Sequence, residues 1–116
     1  MKEIPPDLQN VEDFLDELRS ICGLTPDIDI VSRKKNTDFI EKIGLSKEEI
    51  NDIIFKKLKS EHCVKGPQPE ADPKFDDGVV YVFKYSHEEY TIYIKLKIYV
   101  KAYARTAICL SFHEDS

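Results

Sequence analysis

Tyr93, Lys95, Lys97 and Tyr99 occupy every second position of the segment TIYIKLKIY, with Ile92, Ile94, Leu96 and Ile98 filling the rest. A strand points successive side chains to opposite faces, so this spacing predicts one aliphatic face and one face of alternating phenol and ammonium groups. Interleaved rings and cations suit single-stranded RNA, whose bases stack on aromatics while its phosphates meet ammonium groups. The closing stretch AICLSFHED extends the pattern. If Ile108, Leu110 and Phe112 turn inward, Cys109, Ser111 and His113 join the polar face. A turn near Lys101–Ala104 brings Tyr93 across the strand pair to Ser111 and His113. Tyr, Lys and His together can hold a phosphodiester and move protons at it. The competing reading is a solvated sheet surface whose lysines discourage edge association.

Bulk charge speaks against a nonspecific polyanion binder, because 22 Asp and Glu outnumber 17 Lys and Arg for a formal net charge of −5. The distribution is uneven, however. From Tyr90 to His113 the chain carries Lys95, Lys97, Lys101 and Arg105 and no acidic residue, so a local basic face is expected.

Other chemistry finds little support. His62, Cys63, Cys109 and His113 offer zinc-ligand residue types without zinc-ligand spacing. Three cysteines and three histidines give many accidental Cys–His pairings, and four scattered glycines cannot build a phosphate-cradling loop. We expect neither metal nor cofactor. An odd number of cysteines with no CxxC pair reads as reduced thiols. The N-terminus lacks the apolar core of a signal peptide, and no run approaches about 18 apolar residues. The expectation is therefore a cytoplasmic protein with no membrane partner.

The elements that must position the polar face read as one α+β domain spanning residues 1–116. An amphipathic helix runs from Asp7, its expected cap, to Cys22 before Gly23, burying Val11, Phe14, Leu15 and Leu18. A short strand is predicted within Asp27–Ser32. A second helix opens at Asn36 or Thr37 and stops at Gly44. The third begins at the Ser46–Glu49 capping box, runs from Lys47 to about Lys59, and buries Ile50, Ile53, Ile54 and Leu58. Three prolines make Lys65–Gly78 a loop, expected to be the most mobile internal segment. Strands follow at Val79–Tyr85, Thr91–Tyr99 and Thr106–Phe112.

The stretches HCVKGPQPEAD, VVYVFKY, TIYIKLKIY and AICLSFHED together resemble the MqsR family of toxins, across roughly Leu58–Asp115. The resemblance implies a RelE-like fold, with helices packed on one face of a curved antiparallel sheet and RNA on the other. It also implies a metal-independent endoribonuclease that cleaves mRNA, and a cognate antitoxin as partner. By this resemblance Lys65, Tyr93 and His113 are the candidate catalytic residues, with Lys95, Lys97 and Tyr99 binding RNA. At His113 the family carries lysine, so a proton-transferring imidazole stands where an ammonium is expected. A strand glutamine important in the family has no counterpart here. The competing function class is a non-catalytic RNA- or protein-binding module using the same face.

Overall fold

In the computed structural model, which describes residues 4–23, 27–69 and 78–115, the first helix is capped by Asn10 rather than Asp7. The Asn10 side chain accepts the Asp13 N–H at 2.8 Å, and α1 occupies Val11–Cys22. Asp7 lies instead in a 3-10 turn, Pro6–Leu8, and is claimed by a distant partner. The predicted short strand contracts to β1, Asp29–Ile30. Helix α2 spans Lys34–Ile43, starting two residues earlier than its sequence indicated, and Gly44 closes it at φ 70°.

The Ser46 capping box forms as expected, with both of its bonds at 3.1 Å, and opens α3, Lys47–Asp52. The helix then widens into a π turn, Ile53–Lys57, so α-helical geometry ends short of Lys59. Arg19 donates to the Phe55 and Leu58 carbonyls at 2.8 and 3.0 Å, satisfying acceptors that the widened turn releases.

Four long strands complete the chain: β2 (Cys63–Pro69), β3 (Gly78–His87), β4 (Tyr90–Lys101) and β5 (Ala104–Glu114). Sheet order is β1-β5-β4-β3-β2, with β1 parallel to β5 and every other pair antiparallel. The sheet is therefore mixed, not purely antiparallel. Residues 65–69, expected in a loop, pair with β3 through two register irregularities. An edge strand tolerates Pro67 and Pro69 because one side of its ladder is unpaired. The rest of that expected loop, with its mobility, falls outside the described residues.

Helices and sheet share one core. Phe14, Leu15 and Leu18 of α1, Phe39 of α2, Ile50 of α3 and Ile53 and Ile54 of the π turn pack with Val79, Tyr81 and Phe83 of β3 and Ile92, Ile94, Leu96 and Ile98 of β4. All described helical core residues thus meet the same sheet face. Tyr81 crosses the core and donates its hydroxyl to the Leu8 carbonyl at 2.8 Å. Burial pushes that phenol up to about 12.

Arg105 belongs to this side too, which removes it from the expected basic face. Its guanidinium pairs bidentately with Asp7 and reaches Glu17 Oε2 at 2.7 Å, tying β5 to the N-terminal turn and α1. The Arg105 hydrogen bonds hold the Asp7 carboxyl below its ordinary value of 3.8. A depressed folded-state value stabilises the fold above the unfolded carboxyl's range and is lost as pH falls through the folded value. We expect Asp7→Asn to lower Tm at neutral pH, with the difference from wild type closing as pH falls below the ordinary carboxylate range. A pH-independent gap in thermal melts would show that the charge pair is not the cause.

Candidate functional site

Facing away from the helices, paired residues on β2 to β5 fall into rows. Lys84, Tyr93 and His113 form one row, Lys65, Val82, Lys95 and Ser111 the next, and Gln68, Val80, Lys97 and Ile108 a third. Tyr99 follows, between Gly78 and Thr106. All six candidate residues therefore share one face.

Tyr93 and His113 are direct cross-strand partners, and their rings lie 5.2 Å apart with only 13° between planes. The imidazole Nδ1 is 3.0 Å from the Glu114 carbonyl oxygen. A carbonyl can only accept, so that contact requires Nδ1–H and leaves Nε2 with its lone pair in the neutral ring. Lys95 is half-buried one row away, beside Ser111, and has no ion pair among the described residues. Lys84, which sequence reasoning passed over, flanks Tyr93 and pairs with Asp115 at 3.0 Å. Its signal was present in VVYVFKY: once Tyr81 and Phe83 are core residues, Lys84 must face the other way.

Two candidates stand differently from expectation. Lys97 is only 5% exposed, with its ammonium 5.1 Å from the Tyr99 ring centroid, so it is part of the packed layer of this face rather than a protruding cation. The Lys97 side chain lies over Gly78, where an added Cβ would have to displace its Cε. Lys65 is exposed but stands two strands from Lys95, about 10 Å at ordinary strand spacing, and farther still from His113. The structure brings Tyr93, His113, Lys95 and Ser111 together and sets Lys65 at the rim.

The inward and outward assignments in β5 need correction. Phe112 is buried, and Ser111 and His113 face outward, as expected. Ile108 and Leu110 do not join the core, whereas Cys109 does, at 0% exposure. The cause is a bulge: Lys95 pairs with Ser111 but Leu96 pairs with Cys109, so Leu110 is an extra residue that reverses the alternation. Cys109 and His113 consequently point to opposite faces and cannot serve one zinc ion. Burial also pushes the Cys109 thiol up to about 12, away from nucleophilic use.

Among the described residues no helix is long and apolar enough to cross a membrane. No family model, no curated protein and no solved structure matches the chain.

Proposed function

We propose that this protein is a RelE-like, metal-independent endoribonuclease that cleaves mRNA, the toxin of a pair whose antitoxin restrains it. The observation that carries the reading is the Tyr93–His113 stack beside Lys95 on the sheet face turned away from the helices. In the proposed reaction, a base stacks near the Tyr93 ring and Lys95 meets the scissile phosphate. His113 Nε2 removes the 2′-hydroxyl proton as that oxygen attacks phosphorus. The bond from phosphorus to the 5′-oxygen breaks, and the leaving oxygen takes a proton from the Tyr93 hydroxyl or from water. The products are a 2′,3′-cyclic phosphate and a 5′-hydroxyl, with no metal required for the proton balance. Lys65, at the rim, is placed for a neighbouring phosphate.

The test is incubation of the purified protein with a defined RNA in excess chelator, with and without ribosomes. Expression without antitoxin should arrest growth, and the cleaved RNA should carry cyclic-phosphate ends. Absence of cleavage in both settings, with RNA still bound, would shift the assignment to a non-catalytic binding module on the same face.

A further inference from the structure

Lys84 completes the row that holds the ring stack: it is the direct partner of Tyr93 on β3, as His113 is on β5. Tyr93 is therefore flanked by an imidazole on one side and an ammonium group on the other. Lys84 and Lys95 are diagonal neighbours across β3 and β4, about 7–8 Å apart. Two ammonium groups so placed can take neighbouring phosphates of one extended strand beside the Tyr93 ring.

The Lys84 ammonium is already engaged, with Nζ 3.0 Å from Asp115 Oδ2. Asp115 lies two residues beyond His113 and is fixed by its backbone N–H, which donates to the Thr91 carbonyl of β4 at 2.8 Å. Because β4 lies between β3 and β5, the ion pair reaches across β4 next to Tyr93. No acidic residue stands in the rows that carry Tyr93, Lys95 and Lys97, so Asp115 brings a carboxylate to the end of a face of cationic and neutral groups. With its side chain 27% exposed and that of Lys84 44% exposed, water reaches both partners, and such a pair is too weak to resist a competing anion.

We propose that Lys84 is a further phosphate-binding residue of this site and that Asp115 is a built-in anion which a phosphate of the bound RNA displaces. The proposal rests on the RNA reading of this face and adds to it one contact and one restraint. A phosphodiester carries a single negative charge, as the carboxylate does, so the exchange leaves the charge at the ammonium unchanged. The freed Asp115 returns to water but stays tethered to β4 through its N–H, close to the incoming phosphates, and repels them. Asp115 therefore opposes binding twice, by occupying Lys84 before RNA arrives and by its charge afterwards. Only the first effect depends on Lys84, and this dependence separates displacement from general repulsion.

The experiment measures binding of a fluorescent single-stranded RNA, 2′-O-methylated so that it cannot be cut, to the full chain by anisotropy over a series of salt concentrations. The proteins are wild type, Asp115→Asn, Lys84→Gln and the double variant, with Lys84→Arg as the charge-conserving control. Asp115→Asn should bind RNA up to about fivefold tighter than wild type, the range set by an exposed ion pair. Most of that gain should vanish when Lys84 is Gln and persist when it is Arg. In the Asp115→Asn background, Lys84→Gln should also reduce the slope of log affinity against log salt by about 0.7, the share of one phosphate contact on a single strand. An unchanged affinity in Asp115→Asn, an equal gain with and without Lys84, or an unaltered slope would overturn the proposal. Failure of every variant to bind RNA would remove it together with the RNA reading of the face. Coupled binding by a protein that cuts no unmodified RNA removes only the ribonuclease reading, and cleavage without the coupling removes only the role of Lys84.

Discussion

His113→Ala is expected to slow RNA cleavage by about 10²- to 10⁴-fold, the usual contribution of a positioned general base, and to relieve growth arrest in cells lacking the antitoxin. The fold should survive. His113 is half-buried, makes one short polar contact to a backbone carbonyl, and lies outside the core. Substitutions at such positions usually change stability by no more than about 0.5 kcal/mol. The loss should therefore appear in single-turnover cleavage rates with no matching shift in the urea midpoint. Tyr93 allows a companion measurement. Tyr93→Phe keeps the ring stacked on His113 and removes only the hydroxyl, whereas Tyr93→Ala removes both. Cleavage that survives in Phe and fails in Ala assigns Tyr93 to stacking and leaves the leaving-group proton to water. Unchanged cleavage in His113→Ala would strike histidine from the mechanism.

Much of this site was legible because β4 is regular. Strict alternation over Thr91–Tyr99 leaves only one way to bury Ile92, Ile94, Leu96 and Ile98, and it turns Tyr93, Lys95 and Tyr99 outward. The Ser46–Glu49 spacing likewise marks a helix start, since its two reciprocal bonds depend on local geometry alone. What could not be read were features decided by distant partners. Asp7 looks like a cap until Arg105, nearly a chain length away, takes its carboxylate. Pro67 and Pro69 look like loop residues unless their segment is known to be an edge strand. Lys97 was expected to be exposed from its neighbours' pattern, but its side chain lies over Gly78 on the adjacent strand and is buried.

The second large effect concerns Asn36, which was read from the sequence as a helix start and is instead 1% exposed inside the fold. The turn between β4 and β5 is at Ala102 and Tyr103, both with positive φ, and pairs Lys101 with Ala104. Counted without interruption from that turn, Tyr93 would face Phe112, and His113 would sit opposite Ile92 on the core side. The extra residue at Leu110 shifts the register by one, so that Phe112 is buried and His113 reaches Tyr93. Asn36 holds that bulge. Its Nδ2 donates to the Leu110 carbonyl at 3.1 Å and to the Val31 carbonyl at 2.9 Å, and its Oδ1 accepts the Phe112 N–H at 3.0 Å. Asn36→Ala leaves three backbone groups without these partners. Each buried, unsatisfied group costs about 1–3 kcal/mol, so a loss of about 3–5 kcal/mol is expected after partial compensation by water. That is a large share of the roughly 5–15 kcal/mol that typically holds a domain together. Asn36→Leu separates the causes: it fills the space but restores none of the bonds, and it should destabilise nearly as much. Urea unfolding measures the loss, and contacts between the Tyr93 and His113 rings, read by NMR in whatever fraction stays folded, report the register. An Asn36→Leu protein as stable as wild type would mean that packing alone sets the bulge. A stable variant that lost only the ring contacts would show that Asn36 selects the strand register without contributing to the free energy of the fold.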